Sequence, residues 1–219
     1  MNPRLTAALL ATAAVLTTLG FVALGSIFDY PAVLKEPPTD VLTAFRANEG
    51  PIVAWFSVLA VSAALFAPIA IGVGRLSAAR PMRIAVPVGL AAAVVQVVGL
   101  SRWPILVPGY ASSNDTESFA TAHRVLGTLI GETFGYALTA TWTLLVLAAL
   151  GTAYAGRWFV GLGGAAAVLI ATGVLAPFQV PLVGLTNFAG YVLFSVWLIT
   201  FGVLAARRPI PARELAAVR

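Results

Sequence analysis

The chain reads as an all-α, polytopic membrane helix bundle with six transmembrane helices, and three observations carry that expectation. Of its 219 residues, 60% are hydrophobic and only 10% charged, with a mean hydropathy of +0.95. An ordinary soluble domain is about a quarter charged and near half apolar. Six apolar runs are each long enough for the roughly 30 Å hydrocarbon core, which takes about 20 helical residues. The basic residues also fall unevenly between the two sets of loops that those runs define. A single transmembrane domain over 1–219 accounts for the whole chain.

The first run, Leu5 to Ile27, follows Arg4 and ends near Ala23, Gly25 and Ser26, the outline of a secretory signal. Its apolar stretch exceeds the roughly 7–15 residues of a signal core, so a retained span is expected. The second run, Pro51 to Gly74, and the third, Ile84 to Val107, contain Pro68, Pro87 and Pro104. Such prolines are tolerated where neighbouring groups take up the freed carbonyls. The fourth run is Val125 to Leu150 and the fifth Trp158 to Phe178. Gly161, Gly163, Gly164 and Ala165 to Ala167 make the fifth thin-sided, which suits close packing of helices, and Pro177, Pro181 and Gly184 make its exit irregular. The sixth is Asn187 to Ala206. Trp142, Tyr191 and Trp197 are expected to be core or lipid-facing aromatics.

Six spans place both termini on one side. Arg4, Arg75, Arg80, Arg83, Arg157, Arg207, Arg208, Arg213 and Arg219 fall there, against Lys35, Arg46, Arg102 and Arg124 on the other. Nine against four predicts cytoplasmic termini. Trp55 and Trp103 would then anchor the outer interface and Trp158 the inner one.

Two outer loops differ in kind. In the first, 28–50, Pro37, Pro38 and Thr39 lead into a short helix, with Thr39 as the expected cap and Asp40 placed well against the helix dipole. Val41, Leu42 and Phe45 share a face that suits the membrane interface or a lid over the bundle. The second, 112–118, predicts a helix start capped by Ser113 or Asp115 before Thr116. Asn114-Asp115-Thr116 also fits the pattern of a glycosylation acceptor.

Composition removes several function classes. With no cysteine, the chain has no disulfide, thiolate metal site or thiol nucleophile. A single histidine, His123, cannot supply bis-histidine haem ligation, and a closed zinc site would need carboxylates that the spans lack. The only lysine, Lys35, lies in a polar loop, away from any retinal pocket. No basic patch interleaved with aromatics points to nucleic acid, and no glycine-rich nucleotide loop is followed by the required Lys-Ser/Thr pair. No metal and no cofactor are expected, and the lipid bilayer is the partner that composition implies.

The fourth span carries the chemistry. Gly127, Gly131 and Gly135 form one ladder of small residues, while Arg124, Thr128, Glu132 and Tyr136 form another. The glycines are expected to let a second backbone approach closely. Glu132 is the feature that needs explaining, because a charge at membrane depth is costly and is usually kept against protein or water. Arg102, Gln96, Gln179 and Asn187 converge on the same outer half by depth, and His123 stands near its mouth. Two uses of Glu132 stay open: an ion pair with Arg102 or Arg124 that fastens two helices, or an exchangeable charge in a polar cavity.

Phe28-Asp29-Tyr30-Pro31, Glu36-Pro37, Leu100-Ser101-Arg102-Trp103 and the run His123-Arg124, Gly127, Gly131-Glu132, Gly135-Tyr136 resemble an uncharacterised bacterial six-span integral membrane family catalogued as a domain of unknown function. The resemblance covers most of the chain. It implies a multi-pass protein of the bacterial inner membrane and adds weight to Arg102, His123 and Glu132, but it transfers no activity.

The leading expectation is a protein that binds or transports a small polar, ionic or amphipathic ligand through an outer-half polar cavity. Glu132 would supply the exchangeable charge, Arg102 and Arg124 its partners or anion contacts, and Tyr136 and Gln96 neutral hydrogen bonds. The alternative is a structural or accessory subunit of a membrane complex, or a homo-oligomer, docked through the glycine ladder and outer loop. A membrane-embedded enzyme acting on lipid or quinone ranks third, since His123 with Glu132 is too generic a pair for acid–base chemistry and no catalytic residue stands out.

Overall fold

The computed structural model describes residues 2–178 and 180–207. Gln179, Arg208, Arg213 and Arg219 lie outside the described residues. Those described are helical or in short connections, with no strand among them, and six helical segments are long and apolar enough to cross a membrane.

Helix α1 spans Pro3–Phe28. The Asn2 side chain accepts a hydrogen bond from the Arg4 amide at 2.9 Å, satisfying one of the orphan donors of a helix start. At its end Asp29 adopts a left-handed backbone, φ 50°, which turns the chain into a 3₁₀ turn at Ala32–Lys35. Helix α2, Pro38–Ala47, is followed by α3, Glu49–Gly74, α4, Arg80–Ile105, and the short α5, Val107–Ser113. The fourth span is composite: α6, Thr116–Ala122, then a π-helical segment, His123–Phe134, then α7, Gly135–Ala155. Helix α8, Arg157–Thr172, ends in a 3₁₀ segment at Gly173–Phe178, and α9 is Val183–Ala206. The irregular exit of the fifth span is therefore present.

Each span packs on its chain neighbours, α1 on α3, α3 on α4, α4 on α7, α7 on α8 and α8 on α9, and α9 returns to α1. The six spans thus close a ring in chain order. Two apolar clusters fill it at different heights. On the side of the termini, Phe66 of α3 meets Trp142 of α7 at 4.7 Å between ring centroids, and Phe194 and Trp197 of α9 complete the plug. On the opposite side, Phe56 of α3 stacks on Trp103 of α4 at 4.6 Å, with Phe28, Phe45 and Phe119 around them.

Three expectations change here. Thr39 does not cap α2: the helix begins at Pro38, two residues earlier than a Thr39 cap implies, because proline suits a first helical position, and the Thr39 hydroxyl instead reaches Asp40 at 3.3 Å. Val41, Leu42 and Phe45 are buried in the aromatic cluster, so α2 is a lid over the ring and not a helix laid on the interface. Trp103 is likewise fully buried, serving as the centre of that lid's seat instead of an interface anchor. The cap of α6 is Asp115, whose Oδ1 accepts from the Ser118 amide at 2.9 Å.

Candidate functional site

Between the two apolar clusters the ring turns polar. Along α4, Ala92 and Ala93 belong to the cluster on the side of the termini and Trp103 to the opposite one, and Gln96, Gly99 and Arg102 lie between them. The same height holds a Thr17–Ser62 hydroxyl pair at 2.7 Å and a Gln96 Nε2 that donates to Thr139 Oγ1 at 3.0 Å.

The glycines of the fourth span face this stretch of α4. A Cβ added to Gly127 would lie 2.7 Å from Cζ of Arg102. One added to Gly131 would lie 2.8 Å from the Gly99 Cα, and one added to Gly135 3.1 Å from Cγ of Gln96. The three glycine surfaces therefore receive, in order, a guanidinium, a backbone and an amide side chain.

The π register decides where Glu132 goes. In an α-helix, at 3.6 residues per turn, Glu132 would stand about 140° around the axis from Gly127. A π-helix bonds each residue to the fifth along the chain, so Glu132 follows Gly127 by one turn on the same face. The Thr133 hydroxyl donates to the Thr128 carbonyl at 2.8 Å, a contact that spans that same interval. Since Gly127 carries the Arg102 guanidinium, the register turns Glu132 toward the arginine's side of the helix. Arg124 goes elsewhere. It is exposed and, among the described residues, has neither a hydrogen bond nor an ion pair.

Arg102 is only 4% exposed. Its Nη1 donates to the carbonyl of Gly99, on its own helix, and its Nη2 lies 3.3 Å from Nδ1 of His123. An arginine can only donate, so that histidine nitrogen is the acceptor. The guanidinium sits 5.2 Å from the Trp103 ring centre, and its Nε finds no acceptor. The His123 ring is held in turn by stacking on Phe119 of α6 at 5.9 Å.

Glu132 is half-buried and lies within electrostatic range of Arg102, yet no hydrogen bond or ion pair joins it to any described residue. Three phenols lie in its field: Tyr30, Tyr136 and Tyr191. Tyr136 and Tyr191 meet edge to face at 5.8 Å, and Tyr30 packs on Phe56 at 5.1 Å. Tyr30 lies in the loop after α1, outside the spans. Burial raises its phenol above the ordinary value of 10.0, with the Glu132 charge adding to the effect and Arg102 opposing it, so Tyr30 stays neutral through the alkaline range.

Of the residues singled out from sequence, the structure brings Arg102, Glu132, His123, Tyr136 and Gln96 together. Asn187 stands at the margin, donating to the Ile170 carbonyl at 2.9 Å where α8 loosens into its 3₁₀ end. Sequence reasoning missed Tyr30, Tyr191 and Thr139. The motif Phe28-Asp29-Tyr30-Pro31 was the available signal for Tyr30, while nothing in the pattern distinguished Tyr191 from a core aromatic. Among the described residues no three side chains of metal-ligating type gather in one place. A separate groove of about 420 Å³ opens between Leu106, Tyr110, Glu117 and Leu126, and Glu132 does not line it.

Comparison with protein families matches residues 5–202 to the model described as Domain of unknown function (DUF4386). No curated protein and no solved structure matches the chain.

Proposed function

Because the chain belongs to the DUF4386 family, whose function is unknown, membership brings no activity, and we propose one from its own residues: binding or transport of a small polar, ionic or amphipathic ligand in a chamber of the outer half of the bundle. The observation that carries this reading is the pair Arg102 and Glu132, opposite charges inside one ring of helices with no ion pair between them. Buried charges of opposite sign that serve only as a fastener gain most from close contact and completed hydrogen bonds. Here Glu132 makes none and Arg102 keeps an unspent Nε.

Arg102 is the anion contact, positioned by His123 and the Gly99 carbonyl. Glu132 is the exchangeable charge. Tyr30, Tyr136 and Gln96 offer neutral hydrogen bonds. The aromatic plug Phe66–Trp142–Phe194–Trp197 closes the chamber toward the termini, and the α2 lid closes it on the other side. The glycine ladder acts as a packing seam that brings α4 against the fourth span. Its three surfaces are already taken within the chain, which favours the ligand reading over an accessory subunit docked through them. The family resemblance implies the bacterial inner membrane, and the arginine distribution supports cytoplasmic termini.

The test is native mass spectrometry of protein extracted in patches of its own membrane, comparing wild type with Glu132→Gln and Arg102→Ala. A small-molecule adduct on wild type that is lost from both folded variants is the expected result. Identical adducts and undiminished transport of those molecules by both variants would sink the model.

A further inference from the structure

We propose that the chamber's ligand is a zwitterion, with its anionic group on Arg102 and its ammonium on Glu132, an inference that rests on the chamber being a ligand site. Helix α4 and the π segment nearly touch at Gly99 and Gly131, and the two charged side chains stand on those adjoining helices. Proximity without pairing sets the charge requirement. A simple anion would neutralise Arg102 but leave Glu132 unpartnered and facing a second negative charge. A simple cation would do the reverse to Arg102. An uncompensated charge in a buried site is strongly unfavourable, and a ligand carrying both signs compensates each group while adding no net charge.

The surroundings fit both ends of such a molecule. The anionic end finds the unspent Nε of Arg102, and a guanidinium binds a carboxylate or phosphate through several parallel donors. The ammonium end finds the Glu132 carboxylate, in whose field lie the Tyr30, Tyr136 and Tyr191 phenols, and a phenol hydroxyl can accept a hydrogen bond from an ammonium. Two sources supply this chemistry: a free zwitterionic metabolite, or the headgroup of an ethanolamine phospholipid from the surrounding bilayer.

The experiment uses the full chain in nanodiscs of phosphatidylglycerol, with intrinsic tryptophan and tyrosine fluorescence reporting titrations. Glycerophosphoethanolamine and β-alanine are the zwitterionic probes, and glycerol phosphate, acetate and ethanolamine the singly charged controls. At least one zwitterion is expected to bind more tightly than its singly charged fragments by about 30-fold or more. Glu132→Gln, which keeps the side-chain shape, moves the preference to the anionic fragment, and Arg102→Gln moves it to ethanolamine. Phosphatidylethanolamine retained over phosphatidylglycerol in native mass spectra assigns the site to a lipid headgroup. Binding of the free probe without such retention assigns it to a soluble zwitterion. Equal binding of zwitterion and fragments by the wild type overturns the zwitterion while leaving the chamber a ligand site. No response to any probe and no adduct overturn both.

Discussion

Gly127 and Gly131 are neighbouring rungs of one ladder, yet an added methyl group would meet different resistance at each. At Gly131 the new carbon would lie 2.8 Å from the Gly99 Cα and 3.1 Å from the Leu126 carbonyl, both of them backbone that yields only if a helix moves. At Gly127 it would meet the end of the Arg102 side chain, which turns aside on its own rotatable bonds. Overpacking a well-filled interior typically costs about 1–3 kcal/mol, so Gly131→Ala is expected to lower unfolding stability by that amount. Gly127→Ala is expected to cost less stability and to weaken ligand binding more, because it displaces the guanidinium. Detergent unfolding curves paired with binding to each variant check this. The same loss of stability in both, with binding unaffected in Gly127→Ala, would show that the guanidinium does not matter where it sits.

At the scale of an element, α6 begins on Asp115, and the cap has a pH signature. The Ser118 backbone amide, and then its hydroxyl, hold the Asp115 carboxyl below the ordinary carboxylate range. A carboxyl whose folded pKa is depressed contributes stability that is present above its unfolded value, about 3.9, and is lost as pH falls through the folded value. Asp115→Ala is therefore expected to melt below wild type at neutral pH, with the gap closing in acid. A gap that stays constant down to pH about 2 would mean that the carboxylate is not the stabilising group. This cap was legible in sequence, since a short polar side chain before Thr116 has few other uses. The six spans were legible for a similar reason: twenty apolar residues in a row fit little else. The π register was not. Bonding to the fourth or to the fifth residue leaves the same sequence pattern, so Arg124, Thr128, Glu132 and Tyr136 read as one continuous ladder, whereas Arg124 is exposed and the π register brings Glu132 toward the Gly127 face. Thr39 was misjudged because Pro38 can open a helix unaided. Tyr30 was missed because its place depends on how the loop folds over α3, which no local spacing records.

For the whole molecule, the ring order of the spans puts the termini, the 75–79 loop and the α7–α8 turn at one end and the α2 lid with α5 and α6 at the other. Gly151, which kinks α7, and Gly156, at the α7–α8 turn, have φ of +60° and +84°, which suit a residue without a side chain. That end carries Arg4, Arg75, Arg80, Arg83, Arg157 and Arg207 among the described residues, and the lid end carries Lys35, Arg46 and Arg124. Arg102 adjoins the lid-side cluster through Trp103, so under the proposed function the side of the membrane that the lid faces determines the compartment from which a ligand enters. The chain contains no cysteine, which makes single introduced thiols clean reporters. Ser112→Cys, on the lid end, and Ala78→Cys, in the loop at the other end, both occupy exposed positions. In intact cells a membrane-impermeant maleimide is expected to label Ser112→Cys and to spare Ala78→Cys until the membrane is opened, because basic loops are retained in the cytoplasm. The opposite pattern would turn the chamber toward the cytoplasm and make its ligand an intracellular one. Labelling of both thiols in intact cells would break the six-span topology itself.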